Sequence, residues 1–139
     1  MSLYVLDTDT LTLFEEGQPA VLRRVAAHAP GELAITVLSV EEQLSGWYTR
    51  VRKAKGPAQL ALAYARLAKT VRFLSRIQIL DFDEPAIRRY EQLRKLRSQV
   101  RKMDLRIAAV VLEHGAVLVT RNARDFGRIP GMQIEDWSA

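Results

Sequence analysis

Apolar residues along this chain form short continuous runs that alternate with longer stretches of helical spacing. Four runs are apolar almost throughout, which predicts buried strands: LYVL at 3–6, LAIT at 33–36, IQIL at 77–80 and AVLV at 116–119. MQIEDW at 132–137 is a candidate edge strand. Continuous apolar strands separated by helices are typical of parallel sheets covered on both faces. The pattern predicts an α/β fold with three layers, α/β/α, around a mostly parallel sheet of four to five strands.

Helices are predicted between the strands from apolar spacing and from residues that begin or end helices. Proline is favourable at a first helical position and glycine just past a last one, so Pro19 and Gly17 mark two boundaries. The predicted helices cover 8–16, 19–29, 40–53, 58–76, 83–96 and 104–115. No internal repeat or linker interrupts the pattern, so we expect residues 1–139 to fold as a single domain.

Two of these helices are expected to be amphipathic. The helix over 58–76 should pack its apolar side inward and expose its basic side chains to solvent. In the helix over 83–96, the residues expected to face inward are Ile87, Tyr90, Leu93 and Leu96, and those expected to face outward are Arg88, Arg89, Arg94, Lys95 and Arg97.

The basic residues are concentrated in the middle of the chain. The chain has a net charge of +5, and residues 50–102 contain fifteen Lys and Arg against four Asp and Glu. This segment suits a polyanion such as RNA, although solvent-facing helices rich in arginine explain it equally well.

Composition excludes several classes of protein. The chain has no cysteine, so disulfides, thiolate metal ligands and thiol catalysis are all ruled out. The opening MSLYVLDTDT has neither a basic segment nor an apolar run long enough for a signal peptide or a membrane span. We therefore expect a cytoplasmic protein that does not enter a membrane.

Acidic residues stand near the predicted carboxyl ends of several strands, the edge where open parallel sheets bind ligands. Asp7 and Asp9 follow the first strand, Glu41 and Glu42 follow the second, and Asp104 begins the helix before the fourth. The fourth strand is followed by Thr120, Asn122 and Asp125. Carboxylates gathered at one edge repel each other unless a cation neutralises them, so a metal site is the natural interpretation.

Each acid also has a purely structural interpretation. Ser39 and Glu42 have the S-x-x-E spacing of a capping box, and Asn122 with Asp125 has a similar spacing. Asp7 and Asp104 stand where a carboxylate stabilises a helix N-terminus. Any one of these acids alone is more simply a cap, but several acids at the same predicted edge favour a site.

The donor types indicate which metal such a site would prefer. Carboxylate oxygens without cysteine suit Mg²⁺ or Mn²⁺ rather than zinc. His28 and His114, the two histidines of the chain, stand near predicted helix ends and are expected to be surface or helix-terminal residues rather than ligands. Since no Ser-His-Asp arrangement or phosphate-binding glycine loop is present, hydrolysis by metal-activated water is the chemistry that fits.

The acidic blocks resemble those of the PIN-domain ribonucleases, particularly VapC-type toxins of toxin–antitoxin modules. YVLDTDTL resembles the opening strand and acidic turn of that family, although Asp9 replaces a more usual Asn. ITVLSVEEQLSG resembles the second block, whose acid lies four residues before a glycine, so Glu42 is preferred to Glu41. MDLRIAAVVLEHGAVLVTRNARDFGRIPGMQIEDW resembles the later blocks, and the four blocks together span almost the whole chain.

The resemblance implies a PIN-like fold and a divalent-metal-dependent ribonuclease that a cognate VapB-type antitoxin inhibits. Asp7, Glu42 and Asp104 would bind Mg²⁺ or Mn²⁺, and the fourth acidic position falls either at Asn122 or at Asp125. Thr120 corresponds to a small hydroxyl residue near the metal. The resemblance also implies a homodimer, for which the helix over 58–76 is a candidate surface.

Two other functions are compatible with parts of the sequence. VLDTDTL also fits the D-x-D-x-T motif of haloacid-dehalogenase phosphatases, with Asp7 as the nucleophile and Asp9 as the acid/base. That interpretation leaves Glu42 and Asp104 without a role. The second alternative is a PIN-like module that binds RNA or protein without catalysis, which Asn122 at the fourth acidic position would favour. A module that only binds polyanions gains nothing from the acids at 7, 42 and 104.

Overall fold

The structure is a computed structural model that describes residues 2–96 and 99–139. Five parallel strands form one sheet in the order β3-β2-β1-β4-β5. The strands are β1 (Tyr4–Leu6), β2 (Leu33–Thr36), β3 (Gln78–Leu80), β4 (Val117–Val119) and β5 (Gln133–Glu135). The four predicted strands and the predicted edge strand are therefore confirmed, and all of their pairings are parallel.

Seven α-helices connect the strands in the described part of the chain. They are α1 (Thr8–Glu16), α2 (Pro19–Ala26), α3 (Val37–Lys53), α4 (Gly56–Leu74), α5 (Glu84–Lys95), α6 (Lys102–Glu113) and α7 (Ala123–Phe126). A short 3₁₀ turn at Pro30–Glu32 leads into β2. None of the described helices is long and apolar enough to cross a membrane.

Local residue chemistry sets the boundaries of the helices that surround the site. Asp7 caps α1, because its carboxylate accepts the Thr10 amide, and α1 ends at Gly17 in the left-handed region with φ 81°. Thr36 caps α3, and its hydroxyl accepts the Ser39 amide at 3.2 Å. The capping-box interpretation of Ser39 and Glu42 is therefore wrong, since α3 begins earlier than the apolar spacing predicted.

Alternate strand residues pack into two hydrophobic cores on opposite faces of the sheet. Val5 and Leu118 belong to a core built with α5 and α6, whereas Leu6 and Val119 belong to a second core that contains Trp137. This two-sided burial explains why the strands are apolar throughout, and it gives the three-layer α/β/α arrangement expected from the sequence.

The outer helices expose more apolar surface than their spacing predicts. On α4 the exposed apolar side chains are Leu60, Leu62, Tyr64 and Val71. On α5, Tyr90 and Leu93 are buried as expected, but Ile87 is 37% exposed. Leu96, just past the helix, is 49% exposed. Arg97, expected on the outer face of α5, lies outside the described residues.

Candidate active site

A cavity of about 390 Å³ opens at the carboxyl edge of the sheet, beside the neighbouring strands β1 and β4. The chain runs from β1 to β2 on one side and to β4 on the other, so this edge is the topological switch point where α/β proteins bind ligands. The residues lining the cavity are Asp7, Thr8, Asp9, Arg101, Asp104, Arg121, Asn122, Asp125 and Phe126. Six of the seven residues predicted from sequence therefore lie in or beside one cavity, and the seventh, Glu42, adjoins it through Thr8.

Asp7 is the most buried acid of the cavity, with 6% of its surface exposed. One carboxylate oxygen accepts the Thr10 amide at 2.8 Å. Burial raises the pKa of Asp7, while hydrogen bonds from Thr120 and Thr10 lower it and the charge of Asp9 raises it slightly further. Asp7 is therefore both a helix cap and a carboxylate whose negative charge the surrounding protein only partly compensates.

Asp104 lies in the first turn of α6 and points into the same cavity. Its side chain is 10% exposed, and both of its oxygens accept hydrogen bonds from Arg101, at 2.9 and 3.2 Å. The Arg101 guanidinium also lies 3.8 Å from Glu42. The hydrogen bonds to Asp104 and the nearby acids raise the pKa of Arg101, so this residue stays charged.

Glu42, on α3, is linked to the cavity by hydrogen bonds through the Thr8 hydroxyl. The Thr8 hydroxyl donates to Glu42 at 2.5 Å and shares a 2.9 Å hydrogen bond with Ser39. Glu41, the alternative acid in this block, is exposed to solvent. The choice of Glu42 over Glu41 thus agrees with the direction in which each residue points.

Asp125 and Asn122 form a compact turn after β4. The Asn122 side chain accepts the Asp125 amide at 3.3 Å and donates to the Asp125 carboxylate at 3.0 Å. Thr120, which is fully buried, accepts the Asn122 amide at 2.9 Å. Asn122 therefore caps α7 and orients Asp125, so a carboxylate is available at the second of the two alternative positions.

Asp9 lies at the rim of the cavity and is engaged by an arginine. Arg121 donates to both of its oxygens, at 2.7 and 3.1 Å, and the two side chains are about half exposed. Asp9 therefore contributes less free negative charge to the cavity than its position in the sequence suggested.

Four residues that line this cavity were missed by sequence reasoning: Thr8, Arg101, Arg121 and Phe126. Arg101 stands three residues before Asp104 at the start of a helix. Side chains three residues apart on a helix are neighbours, so this spacing could have predicted the contact between them. Thr8 and Arg121 each adjoin a predicted site residue in the sequence.

The donor set suits a hard divalent cation in its chemistry. Asp7, Asp104, Asp125 and Glu42 all offer carboxylate oxygens, and burial raises the pKa of Asp7. Within the described residues, no three acids or histidines are close enough to hold an ion as they stand. Arg101 donates to both oxygens of Asp104, so its charge opposes a cation that binds there.

A second, larger cleft of about 670 Å³ continues from Thr8 and Glu42 between α1, α3 and α4. Its walls carry the basic residues Arg50, Arg66 and Lys69 and also the acids Glu15, Glu16 and Glu42. The Arg50 guanidinium lies 4.6 Å from the centre of the Trp47 ring, which also lines the cleft. Thr8 lines both the acidic cavity and this cleft, whose walls are basic, acidic and aromatic.

Fold and site together define a parallel α/β protein with an acidic cavity at its topological switch point. The PIN-domain family model matches residues 4–132, so the chain belongs to the PIN-domain family. This assignment removes the haloacid-dehalogenase alternative.

Curated relatives match along almost the whole chain. The tRNA(fMet)-specific endonuclease VapC of Salmonella typhimurium is 31% identical over 99% of this chain and 99% of its own length. The protein of the same name from Shigella flexneri is 30% identical over 99% of this chain and all of its own length. Among solved structures, DNA-bound VapBC from Salmonella typhimurium contains a chain with a TM-score of 0.79 and 27% identity, covering 99% of both chains.

Proposed function

We propose that this protein is a divalent-metal-dependent ribonuclease that cleaves RNA phosphodiester bonds and acts as the toxin of a toxin–antitoxin pair. The observation that carries the proposal is the convergence of Asp7, Asp104 and Asp125 in one cavity of a PIN fold. The full-length similarity to VapC endonucleases supports RNA as the substrate class. We further propose that the whole of residues 1–139 acts as a single catalytic domain.

The proposed metal ligands are Asp7, Glu42, Asp104 and Asp125. Bound Mg²⁺ or Mn²⁺ would lower the pKa of a coordinated water and stabilise charge on the phosphate. Thr120 donates a hydrogen bond to Asp7, and Thr8 holds Glu42 toward the cavity. Asn122 fixes the orientation of Asp125. These contacts limit the rotation of the acids, which orients them for binding a cation.

The groove that leads away from the acids is the proposed path of the RNA. Arg50, Arg66 and Lys69 provide positive charge for the phosphate backbone, and Trp47 offers a ring for base stacking. Thr8 lines both the groove and the cavity. A single RNA strand can therefore contact the basic residues of the groove while one of its phosphates lies near the acidic residues of the cavity. The first RNA to test is tRNA(fMet), because it is the substrate in the name of two close relatives.

The proposed partners are a cognate VapB-type antitoxin and a second copy of this chain. Solved VapBC complexes with similar chains support the antitoxin. The exposed apolar side chains of α4 supply a candidate surface for the homodimer. We propose a cytoplasmic location, where RNA and an antitoxin are both accessible.

The decisive experiment measures cleavage of tRNA(fMet) by the purified chain with Mg²⁺, with Mn²⁺ and with EDTA. We expect cleavage only with a divalent cation, and a loss of at least about 100-fold in Asp7→Ala and Asp104→Ala, because each removes a proposed metal ligand. Asp81→Ala is the matched control: Asp81 follows β3 at the same edge of the sheet but does not line the cavity, so its activity should be unchanged.

Two outcomes contradict this proposal. Cleavage that persists in EDTA would exclude the metal-dependent mechanism, and full activity in both Asp7→Ala and Asp104→Ala would place the reaction elsewhere. Tight RNA binding without cleavage under every metal condition would support the binding-module alternative instead.

A further inference from the structure

Arg101 is a positively charged residue of the acidic cavity whose contacts would change if a cation binds as proposed above. It holds both oxygens of Asp104 and lies 3.8 Å from Glu42, so its guanidinium stands among the acids. A cation on Asp104 needs at least one of those oxygens. Each carboxylate oxygen has two lone pairs, so both contacts are sterically compatible, but the guanidinium and a divalent ion on one carboxylate repel each other, and this repulsion favours release of the guanidinium.

Exposure shows on which side of Asp104 the arginine lies. The Arg101 side chain is 65% exposed, whereas that of Asp104 is 10% exposed. The guanidinium therefore approaches from solvent and covers the acid at the mouth of the cavity. Any polyanion that reaches the acids from solvent passes this charge.

The backbone keeps Arg101 at the mouth after its side chain is released. Arg101 is the N-terminal cap residue of α6, and its carbonyl accepts the Leu105 amide at 3.0 Å. Only the side chain needs to rotate. Arg121 differs from Arg101, because its partner Asp9 lies at the rim of the cavity and is not a proposed metal ligand.

Resting on the function proposed above, we propose that Arg101 is a phosphate-contacting residue: a divalent cation displaces its guanidinium from Asp104, and the freed guanidinium binds the RNA backbone at the cavity mouth. A guanidinium presents two parallel N–H donors that match two phosphate oxygens, as they match the two oxygens of Asp104 here. With metal bound, an RNA phosphate would thus accept the two guanidinium hydrogen bonds that Asp104 accepts here.

The test uses two binding measurements that do not depend on cleavage. Isothermal titration calorimetry with Mn²⁺ alone compares the wild type with Arg101→Gln, and we expect the variant to bind Mn²⁺ about two- to fivefold more tightly, because no ion pair has to be broken. Fluorescence anisotropy with labelled tRNA(fMet) in Ca²⁺ should show about three- to tenfold weaker binding in Arg101→Gln, because a charge-assisted phosphate contact is lost.

Two further variants separate this role from a general effect of charge. Arg88→Gln removes an equal charge and a similar ion pair, with Glu84 on α5, and should leave both affinities unchanged. Arg101→Lys keeps the charge but not the paired donors, so its RNA affinity should fall between those of the wild type and Arg101→Gln. Circular dichroism spectra confirm that each variant is folded.

Unchanged or weaker Mn²⁺ binding by Arg101→Gln would overturn the proposal, because Arg101 would then position Asp104 rather than compete for it. Unchanged RNA affinity, or an equal loss in Arg88→Gln, would overturn it as well. If the wild type binds Mn²⁺ and RNA but does not cut the RNA, the ribonuclease proposal fails. The Mn²⁺ and RNA affinities of the wild type and Arg101→Gln still test the role of Arg101 in that case. If cleavage occurs and Arg101→Gln changes neither affinity, only the Arg101 proposal fails.

Discussion

Asp7 is a residue whose functional and structural requirements conflict. Its burial raises its pKa, so the folded protein favours the protonated form more than the unfolded chain does. The ionised carboxylate therefore costs stability: the cost appears as the pH rises above the pKa of Asp7 in the unfolded chain, is complete above the folded pKa, and is lost again as the pH falls to the unfolded value. A metal ligand must be ionised at neutral pH, so the site keeps a charge that the fold disfavours.

We therefore expect Asp7→Asn to stabilise the metal-free protein. Asparagine retains an oxygen that can accept the Thr10 amide but carries no charge. Thermal denaturation in EDTA at pH 7.5 should show a Tm higher by about 3–5 °C, which corresponds to roughly 1 kcal/mol for a chain of this size. The difference should shrink as the pH is lowered to about 4, close to the ordinary aspartate pKa of 3.8, and should also shrink when Mn²⁺ stabilises the wild type.

Thr10→Val serves as the control, because it changes the surroundings of Asp7 but leaves its carboxylate charged. It removes a hydroxyl that hydrogen-bonds to Asp7, so we expect it to lower the Tm. A lower Tm for Asp7→Asn at both pH values would show that the cap hydrogen bond outweighs the buried charge.

At this scale the sequence identified the acids but not their partners. Asp7 and Asp125 follow parallel strands, so the edge of the sheet to which they belong follows from topology alone. The contacts Arg101–Asp104 and Thr8–Glu42 depend on side-chain rotamers and on where α6 and α3 begin. Element boundaries are the least certain part of a sequence prediction: α3 begins three residues earlier than predicted, so Glu42 is not a cap partner but contacts Thr8 beside the cavity.

The short helix α7 shows how one element supports the site. Asn122 both caps this helix and donates to Asp125, so two roles share one side chain. Asn122→Ala should lower the free energy of unfolding by about 1 kcal/mol through loss of the cap. Asn122→Ser keeps a cap acceptor but is too short to hold the carboxylate, so it should keep most of that stability.

Activity should fall about tenfold or more in both Asn122 variants, because each leaves Asp125 unoriented. Urea denaturation measures the stability, and tRNA(fMet) cleavage with Mn²⁺ measures the activity. Full activity in Asn122→Ser would mean that Asp125 needs no orienting partner, and would leave Asn122 as a cap only.

Elements were predicted well where burial alone determines them. The central strands β1, β2 and β4 were found because both of their faces are covered, which makes each run apolar, whereas β3 is more exposed and keeps Ile79 41% accessible. The faces of α4 were predicted less well, because helical spacing cannot distinguish an apolar side chain that packs in the core from one that lies at the surface. Leu60, Tyr64 and Val71 have the spacing of one apolar helix face, yet they are 40%, 55% and 48% exposed.

Across the whole molecule, the positive charge that lines the groove, at Arg50, Arg66 and Lys69, is expected to govern how RNA affinity depends on salt. A lysine or arginine that neutralises one phosphate adds roughly 0.7–0.9 to the slope of log affinity against log salt concentration. Arg66→Gln should therefore weaken tRNA(fMet) binding in Ca²⁺ and reduce that slope by about one such increment. Arg88→Gln, whose ion pair with Glu84 lies outside the groove, should leave the slope unchanged.

An equal change of slope in Arg66→Gln and Arg88→Gln would contradict the groove as the RNA path, because net charge alone would then explain the binding. An unchanged slope in Arg66→Gln would exclude a phosphate contact at that position.

The exposed apolar face of α4 carries the prediction that concerns assembly. Leu60, Tyr64 and Val71 share one side of α4, at spacings of four and seven residues, and are 40%, 55% and 48% exposed. Burying such side chains against a second copy recovers about 25 cal/mol for each Å² removed from water. Light scattering after size exclusion should show a dimer for the wild type and a monomer for Leu60→Asp, whereas Leu22→Asp, a leucine on α2 that is 41% exposed, should remain dimeric. If Leu60→Asp stays dimeric but no longer binds a VapB-type antitoxin, this face belongs to the antitoxin, and if the wild type is monomeric the homodimer proposal is wrong.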